Sequence, residues 1–448
     1  RRAMFGQPCA PASSMRRLCL MILATAQCHR VAVLTTSDCR SASPVTHHEF
    51  GTQLAASLVV LLRMRELFPG WDAFLATRPS KWNGSPGSNA AKDASCREVW
   101  DDLSGLYRER FGAELRLVNY DHRDFAMLDV VSRIPGKETD HSRGHWPSEA
   151  FVHLVIGARM LEEYGYSHTV YVDADAWPLD DALRFEVPRV DGIGCVAALP
   201  AQCLEVELPR GVSSAASRAA KERADEYRLV TDPALRAGVA EAAARLGHGY
   251  RVVNGTNSGV VVYNNEFLKH ARWADWMHAL VNVSRRGFYG DQTALTVALG
   301  RADVPVRWLH PRFNVMVTLP YSYVLSSCGE DALYAGRAAR AAGAAPVSIA
   351  HFTWGPKPWM KALDAWRATH RLKTNAVQND GPLANDYRAW VRETLGARRV
   401  ARFFSDDAMA PLPNATAPGS ARLDPRPFRR CGALTAGGAG PCHGGMSS

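Results

Sequence analysis

The chain has 448 residues, 47% of them hydrophobic and 22% charged, a globular composition able to bury a large core. Its formal net charge of +9 sits at the two ends: residues 1–30 carry five arginines and no acid, and residues 397–448 carry seven arginines against three aspartates. The body between them is neutral, which argues against nucleic acid as a partner, and no apolar run reaches the roughly 18 residues that span a bilayer.

From Met15 the chain reads MRRLCLMILATAQC, two arginines before a short apolar run and an Ala24-Thr25-Ala26 triplet. Two readings fit this leader over residues 1–28. One is a cleavable signal over 15–26, which would put the protein in the secretory pathway (Golgi or ER lumen); the other is an amphipathic lead-in to the first strand of a cytoplasmic protein. Sequons at Asn83, Asn254, Asn282 and Asn414 are compatible with a lumen. The ten cysteines show no zinc spacing.

HRVAVLTTSD (His29 to Asp38) predicts a buried first strand ending in small polar residues. FGTQLAASLVVLLRMRELFPG predicts a helix stopped by Pro69-Gly70, and Trp82 to Asn89 a surface loop. CREVWDDLSGLYRERFG reads as a helix closed by Gly112, and AELRLVNY as the second strand. SEAFVHLVIGARMLEEYG reads as one helix with Ser148 as N-cap and Gly165 as stop, feeding the strand SHTVYV. Residues 204–250 read as a helical insertion, and NSGVVVYNNEF as short strands and turns. A helix over Phe267 to Val281, another opened by Gly290-Asp291, and the strands VRWL and VSIAHF complete the core. From Ala397 the chain turns rich in Ala, Pro, Gly and Arg, a low-complexity tail over 397–448 expected to be disordered after Phe404. Strands alternating with helices imply one large α/β domain, a mainly parallel, Rossmann-like sheet with helices on both faces. The first strand is not followed by G-x-G-x-x-G, which disfavours a dinucleotide site.

The chemistry concentrates in four segments. In YVDADAWPLD, Asp173 and Asp175 at alternate positions of a strand end would face one point. Two close carboxylates repel each other unless something positive is shared between them, and oxygen or mixed ligation suits Mg²⁺ or Mn²⁺. A pair of turn or helix-capping aspartates is the plainer alternative; an EF-hand calcium loop fails because its sixth and twelfth positions would be Pro178 and Arg184. NSGVVVYN sets Asn257 and Ser258 before Gly259 at a turn. GDQ places Asp291 and Gln292 in the first turn of a helix, where an acid is also favoured by the helix dipole. HFTWGPKPW puts His351 at a strand's C-terminal end and Lys357 just after a glycine turn, a positive charge for an anionic group.

Together with VAVLTTSD (31–38), these segments resemble glycosyltransferase family 8 in the family's order across most of residues 31–360. The resemblance implies a GT-A fold over residues 29–396, a nucleotide-sugar donor, usually UDP-linked, a Mn²⁺ ion and retention of anomeric configuration. It implies Asp173, Asp175 and His351 as metal ligands, and Leu34, Thr35 and Thr36 along the uridine. Asn257 and Ser258 would lie near the donor sugar, Asp291 and Gln292 would hold the sugar and face the attacked carbon, and Gly355 and Lys357 would approach the diphosphate. The Lys or Arg that the family carries before the D-x-D strand has no clear match; His153 stands near that place. The acceptor would be a carbohydrate, a lipid or a protein. Other readings are a nucleotide-sugar or glycan-binding relative without catalysis, and a different metal-dependent nucleotidyl or phosphoryl transferase, which the lack of a G-x-x-x-x-G-K-[ST] loop disfavours.

Overall fold

A computed structural model describes residues 29–37, 52–77, 90–120, 148–197, 233–283 apart from 252 and 254, 291–316, 347–352, 357–359, 381–404 and 409. The leader, most of the 204–250 insertion and Gly355 lie outside these residues.

Seven strands form the main sheet: β1 (Val31–Thr36), β2 (Asp72–Thr77), β3 (Arg116–Asn119), β4 (His168–Val172), β6 (Ile193–Ala197), β7 (Thr256–Asn264) and β8 (Val306–Trp308), in the order β3-β2-β1-β4-β7-β6-β8. All neighbours pair in parallel except β7, which runs antiparallel to both β4 and β6. A three-stranded sheet holds β5 (Ala176–Pro178), β9 (Val315–Met316) and β10 (Ile349–His351), in the order β5-β10-β9.

Side-chain alternation sends each strand's residues into two cores. Val31 and Val33 of β1 join one core, while Ala32 and Leu34 join the other. The first core lies under α1 (Thr52–Leu67), α2 (Ala90–Phe111) and α8 (Gly381–Phe403) and includes the small sheet. The second lies under α3 (Gly157–Glu162), α4 (Pro233–Arg245), α5 (Asn265–His270), α6 (Trp273–Val283) and α7 (Asp291–Ala298). Helices therefore cover both faces, and the mainly parallel α/β sheet is as the sequence implies. Helix α1 is buried almost all round, which is why its sequence is apolar with little polar face.

Several elements differ from expectation. A strand, β2, forms in WDAFLAT directly after Pro69-Gly70; it is short, buried on both faces and rich in alanine, so no period-2 pattern marks it. The stretch after Ser148 is a 3-10 segment, Ser148–Leu154, then the short α3, rather than one helix. Gly157, at that break, faces α5: a Cβ there would stand 2.3 Å from Leu268 Cδ1. Gly165 does end α3, at φ +70. The expected helix over Phe267 to Val281 is two, α5 and α6, split at Arg272 with φ 49. NSGVVVYN is a single long strand, not a set of turns. Helix α8 runs from Gly381 to Phe403 across a kink at Gly396 (φ 74), and Val400, Phe403, Phe404 and Met409 are buried.

Candidate metal centre and active site

Strand β4 ends at Val172, and Asp173 and Asp175 lie on the turn that follows. Their convergence is thus a product of the turn and not of strand alternation. Ala176 N–H donates to Asp173 O at 3.0 Å, closing the turn and starting β5. Asp173 N–H is held by Gly259 O at 2.9 Å, and Phe352 N–H donates to Asp175 O at 2.9 Å. In the antiparallel β5–β10 ladder His351 is opposite Ala176. His351 therefore reaches the aspartates from the small sheet, not from the main sheet's edge as the sequence suggested.

One ligand atom each from Asp173, Asp175 and His351 lies within 4.8 Å of the others. His351 Nε2 is 3.2 Å from Asp175 Oδ1 and 3.4 Å from Asp173 Oδ2. The side chains of Asp173 and Asp175 remain 27% and 16% exposed, so the cluster is open on one side. Two carboxylates and an imidazole at this spacing fit a divalent cation with mixed oxygen and nitrogen ligation.

The charges are tightly linked. Burial disfavours the charged form of His351, but Asp175 beside it and hydrogen bonds to both carboxylates outweigh that and push its pKa up to about 9. Burial also works against ionised Asp175, yet the Lys357 ammonium and His351 hold its carboxyl well below the usual range. Asp173 moves the other way: burial raises it, and the charges of Asp175 and Asp291 add to that against the His351 hydrogen bond. Lys357 Nζ contacts both Asp175 Oδ2 and Phe352 O.

Asp291 opens α7 and is almost closed from solvent, with its Oδ2 3.1 Å from His153 Nε2. His153 Nδ1 is 2.6 Å from the Tyr263 hydroxyl, and its ring stacks on Tyr171 at 3.9 Å with an 8° tilt. Tyr171 in turn donates from its hydroxyl to Asp173 Oδ1 at 2.5 Å. Hydrogen bonds thus join Asp291 to His153 and Tyr171 to Asp173, and the ring stack of His153 on Tyr171 links the two pairs. Gln292 follows Asp291, half-buried.

At the end of β1, Leu34 is buried in the second core, and the Thr35 and Ser37 hydroxyls are buried without a hydrogen-bond partner among the described residues. Thr36 Oγ1 is 3.5 Å from the Tyr171 hydroxyl. Asn257 and Ser258 are buried within β7, where the register with β6 skips from Val261 to Asn257. Asn257 Oδ1 accepts from Gly259 N–H at 2.9 Å and from Asn314 Nδ2 at 2.6 Å. Asn314 Oδ1 is 2.8 Å from His351 Nδ1. Sequence reasoning missed Asn314, and it noted His153 without finding its partners.

The chain is similar to solved glycosyltransferases. The galactosyltransferase LgtC, in complex with donor and acceptor sugar analogs, is 19% identical over 78% of this chain and 96% of that chain, with a TM-score of 0.39. Mouse xyloside xylosyltransferase 1 in its apo form is 14% identical, covering 72% of this chain and 97% of that chain at a TM-score of 0.36. Core-mannan synthase A of Aspergillus fumigatus in a Mn/GDP form is 10% identical, covering 62% and 72% at 0.33. No family model matches the sequence. No curated protein matches it either.

Proposed function

We propose that the protein is a metal-dependent retaining glycosyltransferase of GT-A type, moving a hexose from a UDP-linked sugar to an acceptor hydroxyl. The observation that carries this reading is the meeting of Asp173, Asp175 and His351, from segments far apart in the chain, in a cluster that stays partly open. The order of the sequence motifs from VAVLTTSD to HFTWGPKPW supports it independently.

On this reading Asp173, Asp175 and His351 hold Mn²⁺, with Mg²⁺ as the alternative ion. When bound there, the cation supplies positive charge against the diphosphate leaving group. Lys357, already paired to Asp175, adds an ammonium on the same side. Asp291 is held by His153 with its carboxylate directed, and its negative charge favours oxocarbenium character on the transferred sugar. Asn257 and Ser258 lie near the donor sugar, and Gln292 helps Asp291 to hold it. Leu34, Thr35 and Thr36 take the uridine, with Gly355 near the diphosphate. The acceptor hydroxyl attacks from the face on which the leaving group departs.

Asp175→Ala removes the carboxylate that pairs with both His351 and Lys357. Its Mn²⁺-dependent release of UDP from UDP-sugars should fall to the level of wild type in EDTA. Wild-type rates in this variant would sink the assignment.

A further inference from the structure

The hydrogen bonds behind the metal cluster can be assigned from one unambiguous donor. Gly259 N–H is a backbone group and can only donate, so the Asn257 atom it meets at 2.9 Å is the carboxamide oxygen. That oxygen also faces an Asn314 atom at 2.6 Å, which must then be the Asn314 amide nitrogen, Nδ2. The same nitrogen lies 3.5 Å from Asn257 O. The other end of the Asn314 carboxamide is therefore its oxygen, and it meets His351 Nδ1 at 2.8 Å. An acceptor there requires the proton to sit on Nδ1. His351 Nε2 is left as the nitrogen turned toward Asp173 and Asp175.

The same strand shapes the seat of the ring. A Cβ on Gly259 would stand 2.2 Å from His351 Cε1 and 2.3 Å from Nδ1, so only glycine lets the imidazole lie against β7. Asn314 and His351 are both buried, at 4% exposure each, which shields their hydrogen bond from competing water. Asn314 immediately precedes β9, whose Met316 pairs with His351, so the pairing of β9 with β10 brings the two side chains together.

We infer that Asn314 is a positioning residue of the metal centre: anchored by Asn257 and the Gly259 N–H, it keeps the His351 proton on Nδ1 and so presents the Nε2 lone pair to a cation shared with Asp173 and Asp175. The inference rests on the metal-dependent reading above and adds to it the group that selects the ligating nitrogen. Partners of this kind orient a metal-bound imidazole and typically change metal affinity by about 10–100-fold when removed.

The test is direct binding of Mn²⁺ to the full chain, followed by the electron paramagnetic resonance signal of the free ion. Wild type should bind, and His351→Gln should bind far more weakly. Asn314→Leu, similar in volume but without an acceptor, should weaken binding by about 10–100-fold. Asn314→Asp keeps the acceptor for His351 Nδ1–H but gives up the donor to Asn257 Oδ1, so it should recover part of that loss, whereas a merely structural role would penalise both variants alike. Wild-type affinity in Asn314→Leu, or equal losses in the Leu and Asp variants, overturns the inference while leaving the metal site standing. Failure of wild type to bind Mn²⁺ overturns both. A second measurement needs no variant: in wild type labelled with ¹⁵N-histidine and loaded with diamagnetic Zn²⁺, the His351 resonances should show the proton on Nδ1. A proton on Nε2 overturns the assignment.

Discussion

The side chain of His351 has almost no freedom, because Gly259 lies directly beneath its ring and Asn314 grips one nitrogen. Gly259→Ala should therefore push the ring off its seat and weaken Mn²⁺ binding about tenfold or more, read by titration with the ion, while circular dichroism stays that of wild type. His153 is constrained in a comparable way, between Tyr263, Tyr171 and Asp291. His153→Phe keeps the stacking on Tyr171 but releases the Asp291 carboxylate. We expect kcat for UDP-sugar turnover to drop by about a hundredfold, the scale of a small misplacement of a reacting group, with Mn²⁺ affinity close to wild type. Equal kcat values would remove His153 from the site. At this scale the sequence is uneven as a guide. Two aspartates one residue apart carry their own repulsion and so announce a shared partner. Asn314 announces nothing: in RFNVMV it reads as an ordinary turn residue, and its link to His351 exists only once β9 and β10 pair.

Between elements, the connection from β4 to β5 is the hinge of the site. Trp177 of β5 is buried against Tyr387 and Trp390 of α8, with ring centroids 4.8 and 5.2 Å apart. Its indole N–H donates to Asp386 Oδ2 at 2.9 Å. Tyr387→Ala would leave a cavity beside Trp177 and should cost about 3–5 kcal/mol, measured by urea denaturation. The same variant loosens the strand that begins beside Asp175, so a weaker Mn²⁺ complex should accompany the lost stability. Strands such as β1 and β4 were readable because a central parallel strand is apolar on both faces. Of the separate small sheet only β10 was readable, as the strand in VSIAHF; β5 and β9 have three and two residues, too few for any periodicity to register. Their pairing comes from tertiary contacts, which a local pattern does not encode.

For the whole molecule, a body neutral overall with basic ends gives no broad charged face on which a polyanion would bind. Mn²⁺ with the correct UDP-sugar should raise the melting temperature, since a ligand at a hundred times its Kd stabilises by about 2.7 kcal/mol. Guanosine- or cytidine-linked sugars with Mn²⁺ should give smaller shifts. An equal shift from every nucleotide sugar would contradict the uridine assignment at β1. The overall class of fold was legible from alternating strands and helices, whereas the reversed direction of β7 was not, because an apolar run looks the same read either way.

The three candidate ligands do not belong to one piece of the scaffold. Asp173 closes the last turn out of the seven-stranded sheet, His351 ends a strand of the three-stranded sheet, and Asp175 lies on the link between them. An ion bonded to all three would act as a rivet through a seam. Its arrival should slow hydrogen exchange on both sides at once, in β4 and in β10, and its removal should let the two sheets breathe independently. Mechanical coupling of the sheets and charge neutralisation would then be a single event.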